Sequence, residues 1–202
     1  MHVPLTLVDP RNAMLSVGRI GAPLWVPWPI PDGWSFAGLA HTETARRPAT
    51  VTSWSARDPF GDPTEILFVS EEAGTGLGAQ LAGFPLNYPT GEVGIGPPHA
   101  KFDVAGHVVS LWAVEAKESP SLAEEDDAVS VVLKDRAVYA GEAAGRWLWV
   151  IVHPAEAGVI VIQPLSLFDA HTLGAELTLL PVCELSPRLV IAASEGHRAG
   201  GP

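Results

Sequence analysis

The sequence predicts an α+β fold: a single domain with a mostly antiparallel sheet, two or three short helices on one face, and a Pro/Trp-rich N-terminal strap on the other. Three observations support this fold class. The 202 residues suit one domain with a large core. Short strand-like runs alternate with turn signals along most of the chain. The run WLWVIV (147–152) is apolar on both faces, which is typical of a strand covered on both sides.

The first 22 residues are weakly patterned and are predicted to extend a single domain that covers residues 23–190. Strands are expected where β-branched and aromatic residues run between polar or Gly/Pro segments. The predicted strands are residues 34–41, 49–56, 64–70, 99–104, 107–114, 135–143, 146–153, 158–163 and 175–181. The two segments that flank Gly106 form either two strands around a tight turn or one bulged strand.

Two short helices and three irregular segments complete the prediction. Residues 71–83 are expected to form a turn and a short helix, which their glycines weaken. A second helix is expected over 166–174, with Ser166 as N-cap, Asp169 in the first turn and Gly174 as the stop. Long loops are predicted over residues 84–98 and 116–128, and a flexible tail over 191–202.

The segment PLWVPWPIPDGW (23–34) is the most distinctive stretch of the chain. Its prolines favour a stiff polyproline II conformation with three residues per turn, so Trp25 and Trp28 share one face. We interpret it as a strap whose tryptophans seal the open side of the sheet, because the short helices cover only one face. In the alternative interpretation the two tryptophans form an exposed aromatic site for a partner.

Charge and composition exclude several classes of function. Twelve Lys and Arg residues against 23 Asp and Glu residues give a net charge of −11, which argues against nucleic acid and anionic membrane surfaces as partners. Cys183 is the only cysteine, as suits a cytoplasmic protein. The N-terminal residues do not resemble a signal peptide, and the longest apolar runs are too short to cross a bilayer.

The best cluster of titratable residues lies in PPHAKFD (97–103). Alternation along an extended segment puts His99, Lys101 and Asp103 on one face, where they form a candidate site for anion binding or for acid and base catalysis. The alternative is an ordinary solvated strand face. Adding His107 or Glu115 gives no recognised metal-ligand spacing, so no metal and no cofactor are predicted.

The segment GTGLG (74–78) follows a strand and precedes a helix, where a phosphate could bind. It lacks a following Lys-Ser/Thr pair and the GxGxxG pattern, and Glu71 and Glu72 would repel a phosphate, so a packing turn is favoured. The surroundings of Cys183 are typical of a small buried hydrophobic residue and not of a nucleophile.

Several charged residues have predicted structural roles. Asp135, Arg136, Glu142 and Arg146 flank a hairpin and are expected to pair across it. Arg188, in the segment SPRL, is expected to hold the C-terminal segment on the domain.

The chain resembles an uncharacterised actinobacterial domain-of-unknown-function family, some of whose members are automatically labelled phosphotransacetylase. The matching segments are APLWVPWPIPDGWSFAGLA (22–40), ILFVSEEAGTGLGAQLAG (66–83), PPHAK (97–101), DRAVYAGEAAGRWLWVIVHPAEAG (135–158) and LSPRL (185–189). Many members begin with a zinc-ribbon-like segment, but this chain has no CxxC motif. It also shows none of the two-domain organisation of true phosphotransacetylases, so the resemblance implies a fold and no activity.

Two functional hypotheses remain. The first is a non-enzymatic cytosolic domain that binds a protein or a small ligand, and it is compatible with a homo-oligomer. The candidate binding residues are Trp25, Trp28, His99, Lys101, Arg136 and Arg146. The second is a small enzyme that acts on an anionic acyl or phosphoryl substrate through His99 and Lys101. A deep pocket that joins these two residues to Arg136 or Arg146 would favour the enzyme, whereas a flat apolar patch would favour the binding domain.

Overall fold

Ten strands form one curled sheet in the computed structural model, which describes residues 2–42, 47–86, 93–115 and 135–199. The strands are β1 (Leu5–Val8), β2 (Trp25–Pro27), β3 (Ser35–Thr42), β4 (Ala49–Arg57), β5 (Pro63–Glu71), β6 (Ala100–Val104), β7 (His107–Ala113), β8 (Ala137–Ala143), β9 (Arg146–His153) and β10 (Ser166–Asp169). Their order is β1-β3-β4-β5-β9-β8-β7-β6-β10-β2. Neighbouring strands are antiparallel except for β6 and β10. The predicted α+β class with a mostly antiparallel sheet is confirmed.

Four short helices accompany the sheet in the described residues. They are α1 (Ala13–Val17), α2 (Leu77–Ala82), α3 (Ala170–Leu173) and α4 (Pro187–Ala199). Three 3-10 segments cover Pro10–Asn12, Ala155–Ile162 and Gly174–Leu179. The predicted helix within 71–83 is α2. The loop prediction for 84–98 lies partly outside the described residues, and that for 116–128 lies entirely outside them.

The sheet separates two apolar cores, because alternate residues of its central strands point to opposite faces. We call the side enclosed by the curl the inner face and the opposite side the outer face. On β9, Leu148, Val150 and Val152 belong to the inner core, and Trp149 and Ile151 belong to the outer core. The prediction that this strand is covered on both faces is therefore confirmed. Helices α2 and α4 cover the outer face.

The inner face is covered by the far end of the same sheet. Side chains of β2, β6 and β10 pack in one core with those of β4, β5 and β9. The predicted strap supplies part of this covering, but it is a strand and not a polyproline II helix over residues Trp25–Pro27. Its main chain pairs with β10, which lies beside it in an antiparallel register. Pairing with a neighbouring strand satisfies backbone groups that polyproline II would leave to water.

Two predicted strands are wrong. Residues 158–163 lie mostly in the 3-10 segment Ala155–Ile162, and residues 175–181 overlap the 3-10 segment Gly174–Leu179. Short apolar runs do not distinguish strand from helix by pattern alone. Close packing against β8 favours the 3-10 segment here. The Gly158 carbonyl accepts a hydrogen bond from the Tyr139 hydroxyl (3.2 Å), and a Cβ added at Gly158 would lie 2.7 Å from Ala137 Cβ.

The helix predicted over residues 166–174 begins four residues later than expected. Residues Ser166–Asp169 form β10, and α3 follows with Asp169 as its N-cap. The Asp169 carboxylate accepts a hydrogen bond from the backbone N–H of His171 (3.1 Å). Pairing of Ser166 and Leu167 with β6 makes the first part of the segment extended, whereas Gly174 ends α3 as predicted.

The C-terminal segment is helical up to Ala199, whereas a flexible tail was predicted over 191–202. Helix α4 continues to Ala199, and Leu189, Ala192 and Ala193 pack into the outer core. Before the helix, the chain runs along the free edge of β3: the Phe36 N–H donates to the Pro181 carbonyl (2.7 Å) and the Cys183 N–H to the Phe36 carbonyl (3.0 Å). The N-terminal extension contributes β1, on the same side of β3.

Candidate functional site

The predicted cluster around residues 99–103 lies on an open surface of the β6–β7 hairpin. Alternation leaves Lys101 and Asp103 exposed, while Ala100, Phe102 and Val104 point into the inner core. The strand register places Lys101 opposite Ser110 and Asp103 opposite Val108. Val108 is 75% exposed, and Trp112, two residues beyond Ser110, is partly buried. We call the surface formed by Lys101, Asp103, Val108, Ser110 and Trp112 the hairpin face.

His99 extends the hairpin face beyond the start of β6. Its backbone N–H donates to the Leu111 carbonyl (2.8 Å), and its Nδ1 accepts a hydrogen bond from the Ala113 N–H (3.1 Å). Asp103 is likewise bonded within the hairpin, since its carboxylate accepts from the Gly106 N–H (2.7 Å). The three predicted residues therefore share a surface, but two of them have structural bonds to the backbone of the same hairpin.

The two candidate arginines are bonded to other parts of the domain. Arg136 Nε donates to its neighbour Asp135 (2.6 Å), and Arg136 Nη1 donates to the carbonyl of Leu81 at the end of α2 (2.9 Å). Arg146 Nη2 lies 3.0 Å from a carboxylate oxygen of Glu72, and its Nη1 donates to the Pro48 carbonyl (3.2 Å). The pairing expected across the hairpin is not formed by these residues, because Asp135 pairs with its sequence neighbour Arg136 and Arg146 pairs with Glu72.

The two strap tryptophans differ in burial. Trp25 is 3% exposed and belongs to the inner core, and Trp28 is partly buried against that core. The strap is held by hydroxyl groups of β4: Thr50 Oγ1 donates to the Pro23 carbonyl (2.5 Å) and Thr52 Oγ1 to the Trp25 carbonyl (2.7 Å). These contacts support the sealing interpretation of the strap.

The loop GTGLG is filled by a carboxylate of the chain. Glu71 is 2% exposed and accepts hydrogen bonds from the Leu77 N–H at the start of α2 (2.6 Å) and from Trp149 Nε1 (2.7 Å). Burial raises the pKa of Glu71, and these donors, with the N–H groups of Gly76 and Gly78, oppose that effect. The position that a phosphate would occupy is thus taken by the Glu71 carboxylate. This supports the packing-turn interpretation of the loop.

A second carboxylate of β5 holds the start of α4. Glu65 accepts hydrogen bonds from the hydroxyls of Ser53 (2.8 Å) and Ser186, and its other oxygen lies 3.1 Å from Arg188 Nε. Ser186 also caps α4 by accepting from the Leu189 N–H (3.2 Å). Arg188 therefore holds the C-terminal segment on the domain, as the sequence predicts.

The sequence reasoning missed His153, which lies opposite Glu65 in the strand register. His153 is 3% exposed, and its Nδ1 has no hydrogen-bond partner within the described residues. Burial, together with the positive charges of Arg188 and Arg136, lowers the pKa of His153 to about 4. For Asp135, burial alone would raise the pKa, but the hydrogen bond and charge of Arg136 outweigh it and lower the pKa. The sequence feature that could have identified His153 is a histidine at the end of an apolar strand.

A further histidine joins the N-terminal segment to α3. His171 Nδ1 lies 2.6 Å from the Asp169 carboxylate, and its Nε2 lies 3.0 Å from the Ile20 carbonyl. Burial alone would lower the pKa of His171, but Asp169 and the nearby carbonyls raise it overall. Asp169 also accepts a hydrogen bond from the Leu24 N–H (3.1 Å), so this pair holds both the strap and the segment before it.

The lone cysteine is not activated as a nucleophile. Burial raises the pKa of the Cys183 thiol, and the carboxylates of Glu184 and Glu65 raise it further. The Cys183 sulfur lies 3.5 Å from the Phe36 carbonyl, which accepts its weak hydrogen bond. These contacts agree with the predicted packing role.

A small apolar cavity opens beside the strap. Its volume is about 20 Å³, which is room for about one water molecule and far less than a small-molecule site needs. It is lined by Ala13, Val17, Leu24, Val26, Phe36, Leu39, Thr52, Ala170, Leu177 and Leu180. The Thr52 hydroxyl is already bonded to Trp25, so this cavity offers no free polar group to orient a ligand.

Two kinds of feature are absent from the part of the chain that the structure describes. Within residues 2–42, 47–86, 93–115 and 135–199, no three His, Cys, Asp or Glu side chains come together in a way suited to a metal ion. Across the same ranges, no helix has the length and apolar character that crossing a membrane requires.

The architecture defines a single α+β domain whose curled sheet encloses one core and carries helices over a second. The chain belongs to a family of unknown function (DUF6758), whose family model matches residues 3–189. The match supports the resemblance to a domain of unknown function, and it includes the N-terminal extension that contributes β1. No curated protein and no solved structure matches the chain.

Proposed function

We propose that the chain is a non-enzymatic cytosolic domain that binds a protein partner through the hairpin face. The observation that carries the proposal is the exposure of Val108 within a regular strand, between the charged side chains of β6 and the indole of Trp112. Exposed apolar side chains beside charged groups are a common composition of protein interfaces, and aromatic residues are enriched there. The hairpin face consists of exposed and half-buried side chains of two paired strands, so it suits a protein more than a small ligand.

The internal bonding of the other polar groups supports a binding role over catalysis. Glu71, Glu65 and Asp169 each accept several hydrogen bonds from the protein framework, which fixes them in structural positions. His99 and Lys101 lie on the hairpin face, and Arg136 and Arg146 are paired with Asp135 and Glu72. The two arginines that could bind an anionic acyl or phosphoryl substrate beside His99 and Lys101 are thus engaged by other parts of the domain.

Site-specific photo-crosslinking in cells tests the proposal. A photoreactive benzoylphenylalanine replaces Val108 in one variant and Ile162 in a matched control, because Ile162 is exposed to a similar extent (72%) on a 3-10 segment that is not part of the hairpin face. We expect one discrete crosslinked species from position 108 and none from position 162. Equal crosslinking at both positions, or none at position 108, would contradict the proposal.

The composition of the crosslinked species decides the kind of partner. A species of twice the chain mass would identify a second copy, and a different mass would identify another protein. The charge reversal Lys101→Glu should reduce the yield of crosslinked species from position 108 if the partner contacts the charged part of the face.

The enzymatic alternative has its own measurement, which is turnover of acetyl phosphate by the purified chain. Turnover that is abolished by His99→Ala or Lys101→Ala would replace the binding proposal.

A further inference from the structure

His153 lies in a row of charged side chains across the outer face of the sheet. It ends β9 on the same face as Ile151, which belongs to the outer core. The register places Glu65 of β5 directly opposite His153 on one side. On the other side, β8 pairs Ala137 with Val152, so Arg136 is the next residue alongside His153.

Charged groups from three structural elements surround this imidazole. Arg136 and Asp135 approach from the start of β8, Glu65 from β5, and Arg188 from the first turn of α4. Each guanidinium is paired with a carboxylate: Arg136 with Asp135 and Arg188 with Glu65. The imidazole is also hydrogen-bonded to the backbone of Asp135, while its Nδ1 is buried without a partner in the described structure. The site accommodates a neutral histidine and has no carboxylate left to balance a third cation.

We propose that His153 is an acid-sensitive latch for α4: the neutral imidazole allows the helix to dock on the outer face, and a proton on His153 releases it. A protonated His153 would be a buried cation beside Arg136 and Arg188, whose charges repel it. The docked helix contacts the row directly, because Arg188 belongs to its first turn and Ser186 caps it through Glu65. Lifting α4 removes Arg188, one of the two arginines whose charges act on the imidazole.

The pH range of release follows from linkage. The pKa of His153 is about 4 with the helix docked and rises towards the ordinary value of 6.5 once the charge of Arg188 is withdrawn. Above pH 6.5 both states are neutral, so pH does not affect docking. Between pH 6.5 and 4 only the open state takes up the proton, so docking weakens as the pH falls. The opening constant of α4 should rise between pH 7.5 and pH 5.0 by at most about 30-fold, the limit for an open state with the ordinary pKa of 6.5.

Amide hydrogen exchange of the full chain tests the latch. Protection factors of α4 amides, corrected for the intrinsic effect of pH on exchange, are measured at pH 7.5 and 5.0. We expect protection in α4 to fall, by at most about 30-fold, while the amides of β5 and β9 change much less. An equal loss in α4 and in the central strands would indicate global acid unfolding and would overturn the proposal, as would unchanged protection of α4.

Two variants distinguish an effect of His153 from an effect of the neighbouring carboxylate, Glu65. His153→Gln removes the titrating group and should abolish the pH effect on α4. Glu65→Gln weakens docking at every pH and should leave the ratio between pH 7.5 and 5.0 unchanged. The opposite pattern would assign the effect to Glu65 and overturn the proposal. A direct measurement does not depend on either variant folding: in the unmodified chain, an NMR titration that gives His153 a pKa near 6.5 would also overturn it.

Discussion

The two faces of the sheet are covered by elements of different kinds. The outer face is covered by α2 and α4, whose starts are held by the glutamates at the two ends of β5, Glu71 and Glu65. The inner face is covered by the strap strand β2, which is held by the hydroxyls of Thr50 and Thr52 on β4. The outer covering thus depends on carboxylates, and the inner covering depends on neutral hydroxyl groups.

Backbone hydrogen bonding explains this difference. A helix satisfies its own backbone in the middle and leaves unpaired N–H groups at its start, which a carboxylate accepts well. A strand at the end of a sheet leaves a row of carbonyls, which need donors from elsewhere. Glu71 accepts from the first N–H groups of α2, and Thr50 and Thr52 donate to the carbonyls of the strap. Glu71 and the two threonines thus complement free backbone groups of α2 and the strap, whereas Glu65 holds α4 through the side chains of Ser186 and Arg188.

The largest expected effect is on the outer covering. Trp149→Ala should lower the free energy of unfolding by about 3–5 kcal/mol, because the ring is fully buried and its loss leaves a cavity. The variant also removes the indole donor to Glu71, which leaves a buried carboxylate with fewer hydrogen bonds. Urea-induced unfolding followed by circular dichroism measures the change.

Trp112 provides a matched control for this substitution. It is partly buried on the hairpin face, and its indole N–H donates to the Gly96 carbonyl (3.0 Å). Trp112→Ala should cost about 1 kcal/mol, since less surface returns to water. If the two variants were equally stable, Trp149 would not belong to a core, and the two-faced arrangement of β9 would be wrong.

The inner covering should respond to a smaller change. Thr52→Val keeps the shape of the side chain and removes a hydroxyl that donates to Trp25 and accepts from Trp54 Nε1 (3.2 Å). Two buried polar groups then lose a partner, so we expect a loss of about 1–3 kcal/mol in urea unfolding. Thr50→Val removes a single hydrogen bond, to Pro23, and should cost less. Wild-type stability of Thr52→Val would show that the strap is held by packing alone.

The sequence predicted the regular parts of the sheet because its strands carry local signals. The segments that became β3, β4, β5, β8 and β9 combine β-branched residues, alternation and turns. The fold class and the two-sided covering of β9 followed from the apolar run around Trp149. The exposure of Lys101 and Asp103 followed from alternation, since both lie on one face of β6.

The parts that sequence reasoning missed depend on distant contacts. Helix α4 has a local start signal, Ser186 followed by a proline in the first turn, but its docking requires Glu65, which lies 121 residues earlier. Gly196 allows α4 to approach the Val3 carbonyl, where an added Cβ would lie 2.7 Å away. The segment 158–163 has the composition of a strand, and only its packing on Tyr139 shows otherwise. The charged row around His153 joins residues from β5, β8, β9 and α4, which no local pattern connects.

The smallest expected effect is a pH-dependent change in the stability of the inner covering, which distinguishes it from the outer covering. Asp169 and the nearby carbonyls raise the pKa of His171 above its unfolded value, so the folded state favours the protonated form. The stability that His171 adds to the inner covering is fully present below pH 6.5 and is lost as the pH rises through the folded pKa. This direction is opposite to that of His153, whose outer covering weakens in acid. Because His171 is partly exposed, its contribution should be at most about 1 kcal/mol.

Urea unfolding at pH 6 and pH 9 measures this contribution. The variant is His171→Gln, and the control is His107→Gln, at an exposed histidine of the hairpin. The wild-type chain and the control should lose more stability than His171→Gln over this range, and an identical loss in all three would show that the Asp169–His171 pair does not hold the strap.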